Sequence, residues 1–235
     1  MTGTSVPDAA RSAAGVITAG EADVDVLSQV TADAFHDLPQ SQWLISDPVA
    51  RREIFPAYFR LYVELALAAG VVYTTPGRDA AALWISVGAG VVSPPYDYEA
   101  RLATVTGPWL GRFQAFDGVL DEHHPVGVPH HHLAILAVRP DRQGRGIGTT
   151  LLRAHHRVLD RDAHVAAYLE AASPRTCRTY QRHGYVHRSG EPFRLPDGGP
   201  PMWPMWREPL PSRTHKRGEP AAATSGSGGA PRRHV

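Results

Sequence analysis

A glycine-rich turn carries the clearest chemical signal in this chain of 235 residues. The turn consists of Gln143, Gly144, Arg145, Gly146, Ile147, Gly148 and Thr149. Glycines allow the backbone to approach a ligand closely, and the first turn of a helix has unpaired N–H groups with a partial positive charge. A glycine-rich turn that opens a helix therefore predicts an anion site, for which phosphate groups are the natural ligands.

The segments on either side of the turn predict the strand and the helix that would position it. Residues 133–138 are almost wholly apolar and are followed by an Arg-Pro-Asp sequence, which is typical of a buried strand closed by a turn. From Ile147 onward, apolar residues recur at helical spacing, at Leu151, Ala154 and Val158. We therefore expect a strand, the glycine-rich turn and a helix in that order.

Two common phosphate-binding motifs fit this turn poorly. The loop that binds nucleoside triphosphates requires a Lys followed by Ser or Thr, and Ile147-Gly148-Thr149 contains no Lys. The dinucleotide fingerprint requires G-x-G-x-x-G spacing near the start of a domain, with an acid about twenty residues later. Glu170 lies near that distance, but the glycines here alternate and the motif comes late in the chain.

A second segment follows in a defined order. Residues 166–171 predict another strand, and residues 173–185 contain the start and stop signals of a further helix. Ser173 is suited to the N-cap of that helix, Pro174 to its first position and Gly184 to its C-cap. The strand, glycine-rich turn and helix, followed in this order by a second strand and helix, are much less expected by chance than either segment alone.

The spacing Gln143-x-x-Gly146-x-Gly148, with the segments around it, resembles the coenzyme A pyrophosphate site of the GCN5-related N-acetyltransferases (GNAT). The resemblance covers residues 16–209 and is strongest over residues 133–185. Within the family, the sequence around the motifs is most similar to puromycin N-acetyltransferase-like members. The N-terminal half, where such enzymes usually form the acceptor pocket, matches only loosely.

The resemblance implies an α/β fold: a central mixed, mostly antiparallel twisted sheet with a splayed parallel strand pair and helices on both faces. It also implies acetyl-CoA as cosubstrate. In this family, the strand before the turn pairs with the pantetheine arm, and N–H groups of the turn bind the pyrophosphate. The residues expected to bind the cofactor are Leu136, Ala137, Val138, Gln143, Gly144, Arg145, Gly146, Ile147, Gly148, Thr149 and Ser173. The family usually has Asn at the last of these positions.

Acyl transfer from a thioester to an amine needs an acid for the leaving thiolate. A phenol suits this role because its reference pKa of about 10 lies near that of a thiol, so it stays protonated at neutral pH. Tyr180 stands where the family places its general acid. An arbitrary helical tyrosine is usually a packing residue, so the resemblance is what favours the catalytic interpretation.

The general base is open at the level of sequence. Glu170 on the second strand is a candidate, and so are His130 and His132, which share one face of the first strand because side chains alternate. Histidine relays protons at neutral pH, whereas a glutamate would need a raised pKa or a bridging water. A water relay without any positioned base is a further alternative.

Histidine pairs and the single cysteine suggest two other chemistries that the pattern does not favour. The run His130-His131-His132 cannot hold one metal ion, because adjacent strand residues point to opposite faces, and no Cys or carboxylate stands at finger-like spacing. We therefore expect no metal. Cys177 as an acyl-enzyme nucleophile would need a nearby His and an orienting acid, and direct transfer needs no such intermediate.

Composition is consistent with one enzyme-sized domain. The chain is 43% hydrophobic with a net charge of +1, which gives no basic footprint for nucleic acid. One cysteine excludes an intramolecular disulfide, and no run predicts a membrane span or a secretory signal. We expect a cytoplasmic monomer or homodimer with a flexible N-terminus at residues 1–15, a GNAT domain at residues 16–210 and a disordered tail at residues 211–235.

Hydrophobic periodicity predicts the remaining elements. It indicates helices over residues 22–36 and 49–69, a hairpin of strands over 71–74 and 81–87, a helical region over 102–120 broken at Gly107-Pro108, and a final strand over 203–207. Trp43, Tyr58 and Tyr62 fall in the helical N-terminal half. They are candidates for an acceptor pocket, although aromatics at helical spacing usually belong to the core.

We therefore expect an acetyl-CoA-dependent N-acetyltransferase that acetylates the primary amine of a small molecule, of which antibiotics and amino-nucleosides are examples. The alternative is a CoA-binding module without activity that serves as a sensor or binds a partner. Tyr180 favours the enzyme, while Ser173 and the open choice of base leave room for the alternative.

Overall fold

The computed structural model describes residues 15–88, 97–161 and 165–209. The predicted flexible N-terminus lies outside these ranges except for Gly15, and the predicted tail at residues 211–235 lies wholly outside them. The proposed domain boundaries therefore stay predictions.

The described residues form seven α-helices and eight strands. The helices are α1 (Val24–Phe35), α2 (Pro39–Leu44), α3 (Pro48–Ala69), α4 (Tyr98–Thr106), α5 (Leu110–His123), α6 (Ile147–Arg161) and α7 (Pro174–Gln181). The strands are β1 (Ile17–Thr18), β2 (Gly70–Thr74), β3 (Ala80–Val87), β4 (His130–Val138), β5 (Ala166–Ala171), β6 (Val186–His187), β7 (Phe193–Arg194) and β8 (Pro201–Arg207). The order of elements agrees with the sequence pattern, and the predicted hairpin is β2 and β3.

The strands form one sheet in the order β1-β2-β3-β4-β5-β8-β6, with β7 paired to β8 beside this path. All its pairs are antiparallel except β4 with β5, which is parallel. The expected mixed, mostly antiparallel sheet of an α/β fold is confirmed.

Helices cover both faces of the sheet, and β3 shows why. Leu83 and Ile85 pack into a core formed with α1 and α3, whereas Ala82 and Trp84 point into a second core formed with α6. Side chains of a strand alternate between faces, so a strand buried on both sides reads as the continuous apolar run seen here.

The parallel pair β4–β5 is short and then splays. Its register joins His130 to Ala166, His131 to Ala167 and His132 to Tyr168, and no pairing continues beyond that point. The C-terminal half of β4 therefore keeps β3 on one side only. The gap opposite β3 is where the cavity described below opens.

The helical region over 102–120 is broken at Gly107, as predicted: α4 and α5 are separated there, because the φ of 52° at Gly107 ends the helix. Two other element boundaries differ from the prediction. The helix expected over 173–185 ends at Gln181, and Gly184, with φ 87°, stands in the turn that follows. β4 begins at His130, three residues before the apolar run over 133–138. Its first three residues are polar, but they pair with β5 and so belong to the strand.

Short elements were not predicted from the sequence. These are α2, β1, β6 and β7, each of which is too short to show a periodicity. Within the described ranges, no helix combines the length and the apolar character that crossing a membrane requires.

Candidate active site

A cavity of about 720 Å³ opens where β4 and β5 splay apart. One part of its wall, called here the loop end, comes from residues 142–149 and from α7. The other part, called the helical end, comes from α1, α2, α3 and α5. His132 and Glu170 line the same cavity from the two splayed strands. The sheet thus brings together segments that are far apart in the sequence.

The glycine-rich turn presents open N–H groups to the loop end. Gly144 and Gly146 have φ values of 77° and 80°, which favour glycine. The first backbone donor of α6 is Thr150, whose N–H bonds to Gly146 O at 3.0 Å. The N–H groups of residues 147–149 precede it and have no acceptor within the helix. The start of α6 is therefore an anion-binding arrangement.

Gln143 and Gly148 hold this turn against β4. The Gln143 side chain donates from Nε2 to Val138 O at 3.0 Å. A Cβ on Gly148 would make ordinary contact with Leu136 Cδ2 at 3.6 Å and Val138 Cγ2 at 3.7 Å. Gly148 thus faces Leu136 and Val138 of the strand, and the space between them would also admit a Cβ.

The loop end also carries positive charge. Arg142, Arg175, Arg178 and Arg182 line it, whereas no carboxylate among the described residues does. Arg145 behaves differently, because its exposed guanidinium donates back to Asp141 O at 3.2 Å. This end of the cavity suits a phosphate-bearing ligand such as coenzyme A.

The edge of β4 and the start of α7 complete the loop end. Leu136 and Val138 line the cavity. The Ala137 side chain does not; it is buried in the core on the α1 and α3 side of the sheet. Ser173 is the N-cap of α7 and accepts a hydrogen bond from Thr176 N at 3.2 Å, as the sequence predicts. It also lines the cavity. The binding roles of these residues stay predictions.

Tyr180 lies in the last turn of α7 and lines the cavity. Its ring packs edge-on against Tyr185 with centroids 5.7 Å apart, and its hydroxyl has no hydrogen-bond partner among the described residues. Burial raises the pKa of the Tyr180 phenol, so the group is protonated at neutral pH. The hydroxyl is available to donate a proton into the cavity.

His132 and Glu170 form a hydrogen-bonded pair across the splay. His132 is the last β4 residue paired to β5, and Glu170 follows its partner Tyr168 by two residues, on the same face. His132 Nε2 donates to Glu170 Oε2 at 2.9 Å. Burial of Glu170 opposes ionisation, but the neighbouring His132 and its hydrogen bond hold the pKa of the carboxyl below its usual range. The sequence offered these residues as alternative bases, and the structure joins them.

Glu170 has spare acceptor capacity. Its side chain is only 6% exposed. Its Oε1 accepts no hydrogen bond from any described residue, although Tyr168 lies near enough to help lower the pKa of Glu170. A buried carboxylate oxygen without a donor is costly unless a ligand supplies one.

His124 and His130 surround the pair, and the sequence gave no signal for this. His130 Nδ1 donates to Val128 O at 2.8 Å, so its Nε2 accepts from His124 Nε2 at 3.1 Å. Burial, reinforced by nearby His132, lowers the pKa of His124 to about 4. Burial also lowers the pKa of His130. Both histidines are therefore mostly neutral at pH 7, and neither supplies a proton to the site there.

His124, His132 and Glu170 also place one possible ligand atom each within 4.8 Å of one another. The hydrogen bond between His132 and Glu170 uses the facing atoms of that pair, which is the arrangement of a histidine and a carboxylate that share a proton. His131 points to the opposite face and contacts His155 at 2.8 Å, as alternation along the strand predicts. The expectation that the protein uses no metal stays a prediction.

Cys177 lacks the surroundings of a nucleophile. The residue is 4% exposed and packs in the core between α7 and the sheet. Burial raises the pKa of its thiol, so the reactive thiolate is scarce. Direct transfer without a covalent intermediate agrees better with this position.

Aromatic side chains dominate the helical end. Its aromatic lining residues are Phe35, Tyr58, Phe59, Tyr62 and Phe116. Tyr58 and Tyr62 thus serve both as core and as cavity wall. Trp43, the third sequence candidate, does not line the cavity; its Nε1 donates to Pro196 O at 3.1 Å.

Comparison with known families agrees with this geometry. Residues 113–187 match the family model described as acetyltransferase (GNAT) domain. The matched segment runs from α5 to β6 and so includes the splay, the glycine-rich turn, the His132–Glu170 pair and Tyr180. This part of the chain is therefore similar to a GNAT acetyltransferase domain, and the expectation of an acyltransferase is confirmed.

Solved structures share the fold over most of the chain. One from Corynebacterium glutamicum, described as histone acetyltransferase HPA2 and related acetyltransferase, has a TM-score of 0.62 and 25% identity, over 85% of this chain and 98% of its own. Arylalkylamine N-acetyltransferase 2 from Aedes aegypti gives 0.56 and 10%, over 82% and 97%. A Drosophila melanogaster polyamine N-acetyltransferase gives 0.53 and 17%, over 82% and 98%. These matches do not support a special closeness to puromycin N-acetyltransferase, which stays a prediction.

Proposed function

We propose that this protein transfers the acetyl group of acetyl-CoA to the primary amine of a small molecule, by direct attack of the amine on the thioester. One observation carries the proposal. A single cavity at the β4–β5 splay joins an anion-binding helix start, a His132–Glu170 pair and the free hydroxyl of Tyr180. Donor binding, deprotonation of the acceptor and protonation of the leaving group thus have residues within one enclosed space.

The loop end fits coenzyme A. The open N–H groups at the start of α6 and the arginines of α7 supply hydrogen bonds and positive charge to phosphates. The unpaired edge of β4 beyond His132 offers backbone groups to an extended pantetheine arm. Bound in this way, acetyl-CoA would place its thioester near the apex of the splay.

The His132–Glu170 pair fits the role of base. An amine arrives largely as an ammonium ion and must lose a proton before it attacks. Glu170 fixes the orientation of the His132 ring and stabilises the imidazolium that forms, in the way an acid supports a histidine base. His132 takes this first proton and passes it to solvent. The nitrogen of the neutral amine then bonds to the carbonyl carbon, and it gives its second proton to His132 as the tetrahedral intermediate collapses.

Tyr180 fits the role of acid. As the carbon–sulfur bond breaks, the sulfur takes the phenolic proton and leaves as a thiol, and the phenolate is reprotonated from solvent. Burial raises the pKa of Tyr180 above that of an ordinary phenol, which keeps the proton in place until the thiolate develops.

A small amine is the better acceptor because the helical end is enclosed by aromatic side chains. Two structural neighbours are described as enzymes for arylalkylamines and for polyamines, which agrees with a small acceptor. An antibiotic or amino-nucleoside acceptor, a cytoplasmic location and a monomeric or homodimeric state belong to this proposal as well.

A thiol-release assay with acetyl-CoA and a panel of primary amines tests the proposal. We expect amine-dependent release of coenzyme A by the wild-type protein and an N-acetylated product of matching mass. Tight binding of coenzyme A without turnover of any amine would contradict the proposed enzyme activity. It would favour the alternative, a CoA-binding sensor or partner-binding module.

A further inference from the structure

The helical end contains a directed chain of phenols that ends at a carboxylate. Tyr58 donates to the Tyr62 hydroxyl at 3.2 Å, and Tyr62 donates to Asp117 Oδ1 at 3.5 Å. Tyr98 donates to Asp117 Oδ2 at 2.8 Å. All three protons point toward Asp117, so the lone pairs of Tyr58 and Tyr62 are what a ligand in the cavity meets. This wall accepts hydrogen bonds and has no proton left to donate.

The charge of Asp117 is not balanced. Burial and the nearby carboxylates of Asp121 and Glu99 raise the pKa of Asp117 to about 6, against the two tyrosine hydrogen bonds, so it is mostly ionised at pH 7. No Arg, Lys or His among the described residues forms an ion pair with it. Asp117 is partly buried and lies behind the cavity wall, in contact with Tyr62 but not itself lining the cavity. A cation held against the phenols would be attracted by this unbalanced charge.

Two further acceptor atoms in the same cavity lack donors. Gln40 is 5% exposed, and its amide nitrogen bonds to Ala172 O and Pro201 O, both at 3.0 Å. Its Oε1 has no partner among the described residues, and neither has Glu170 Oε1. Both residues line the cavity. The polar lining around these two residues therefore has more hydrogen-bond acceptors than donors.

The rest of the helical end suits a cation on an apolar spacer. Tyr58, Phe59, Tyr62 and Phe116 offer ring faces, and neither Arg nor Lys among the described residues lines this part of the wall. Leu38, Leu44 and Leu120 add apolar surface for methylene groups. Aromatic rings backed by a carboxylate bind an ammonium or guanidinium group well.

Acidic groups extend from Asp117 toward the proposed site of reaction. Asp121 lies one helical turn after Asp117 on the same face of α5. Burial and the charge of Glu170 raise the pKa of Asp121, which shows that α5 brings it near the His132–Glu170 pair. A flexible ligand with one amine at the His132–Glu170 pair would therefore place its other end near the negative charge of Asp117.

We propose that the acceptor is a diamine or a guanidinoalkylamine, with its reacting amine at His132–Glu170 and its second cationic group against Tyr58 and Tyr62, whose hydroxyls lead to Asp117 behind the cavity wall. This inference rests on the proposed function for the reacting amine, but not for the second cation. A monoamine would fill the apolar walls and leave Asp117 without a counter-ion.

Matched pairs of substrates test the inference. The diamines putrescine and cadaverine are compared with the monoamines butylamine and pentylamine, which have the same carbon chains but lack the second amine. Tyramine and phenethylamine are added as aromatic monoamines. We expect diamines to exceed matched monoamines in kcat/KM by about tenfold or more, a typical value of one charge-assisted contact.

Asp117→Asn keeps the size of the side chain and removes the charge. We expect it to lower kcat/KM for the diamines by about 10- to 100-fold, mainly through KM, and to change the monoamines by less than about twofold. Glu122→Gln is the matched control, because it removes an exposed carboxylate of the same helix, α5, and should affect neither class. If Asp117→Asn folds poorly, Tyr62→Phe tests the same wall.

The two proposals fail in different ways. Equal losses for diamines and monoamines, or a preference for monoamines in the wild type, would overturn the second-cation site while acetyl transfer stands. Calorimetry with the CoA-saturated protein covers the case without turnover. If the protein does not turn over any amine but binds putrescine, and Asp117→Asn weakens that binding, the cation site stands and the acetyltransferase proposal fails. If the protein does not bind putrescine at all, the proposal of a cation site fails.

Discussion

His132 Nε2 and Glu170 Oε2 lie 2.9 Å apart across the point where β4 and β5 separate. The two residues are 38 positions apart in the chain, and only the parallel register of His132 with Tyr168 brings them onto one face. The splay that opens the cavity therefore also positions its proton-sharing pair. If the pair acts as one base, the two side chains must depend on each other.

Variants of the pair test that dependence. We expect Glu170→Gln to lower kcat by about tenfold to a hundredfold and His132→Gln to lower it by about a hundredfold or more, with little change in KM for acetyl-CoA. The double variant should be no slower than His132→Gln alone, because Glu170 acts through His132. Steady-state kinetics at saturating acetyl-CoA measures this. Additive losses in the double variant would show two independent roles.

Tyr180→Phe separates acid catalysis from binding. The hydroxyl has no hydrogen-bond partner among the described residues, so its removal should leave the folding stability within about 0.5 kcal/mol of the wild type. We expect kcat to fall by about a hundredfold or more, while the Kd for coenzyme A stays within about twofold. Unchanged turnover would remove Tyr180 from the mechanism. Tyr185→Phe is the control: its hydroxyl lies outside the cavity wall and hydrogen-bonds to His156 at 3.0 Å, so this variant should lose stability but keep its turnover.

Two glycines of the turn should respond differently to alanine. Gly146 has φ 80°, where a Cβ is strained by about 1–2 kcal/mol, so Gly146→Ala should distort the N–H groups at the start of α6. We expect the Kd for coenzyme A to rise by about tenfold or more. Gly148→Ala should be nearly neutral for binding and should raise helix stability, because its Cβ would meet Leu136 only at ordinary contact distance.

Isothermal titration of both variants with coenzyme A measures the contrast. Equal losses would mean that Gly148 also approaches the ligand, and equal retention would place the phosphates elsewhere. Thermal unfolding of each variant separates a binding defect from a folding defect.

The histidines of α6 make stability depend on pH. Burial lowers the pKa of His155 to about 2 and that of His156 to about 3. The unfolded chain takes up protons on both as pH falls through about 6.5, whereas the folded chain does not, so stability is present above that pH and is lost below it. Of the charges near His156, Arg207 and His183 oppose protonation and Asp160 favours it.

We therefore expect the unfolding temperature to fall by several degrees between about pH 7.5 and about pH 5.5. The double variant His155→Gln/His156→Gln should lose less over that range. His187→Gln serves as control, because His187 is exposed. Differential scanning calorimetry across the range measures the slopes, and parallel slopes in all three proteins would exclude buried histidines as the cause.

The sequence predicts the part of the site that is local. The turn at residues 143–149, the strand before it and the helix after it are contiguous, so glycine spacing and periodicity were enough. The N-cap at Ser173 was likewise readable, because a capping side chain bonds a backbone N–H only three residues away. The resemblance to the GNAT family added the splay and the role of coenzyme A.

The rest of the site depends on tertiary register. His124 approaches His132 only because α5 ends beside β4, and nothing in the spacing of the histidine pairs shows it. Asp117 meets Tyr62 and Tyr98 because α3, α4 and α5 pack together. Trp43 illustrates the converse error: its helical position fits a cavity wall, but its indole N–H bonds to a loop instead.

The central claim is that the protein transfers an acetyl group from acetyl-CoA to an amine in the cavity at the splay of β4 and β5. Its most direct measurement is mass spectrometry of a reaction of the wild-type protein with acetyl-CoA labelled in the acetyl carbons and an equimolar diamine, with Tyr180→Phe in parallel. We predict labelled N-acetylated amine equal in amount to the coenzyme A released, and about a hundredfold less in the variant over the same time. Release of coenzyme A without labelled amine, or equal product from the variant, would contradict the claim.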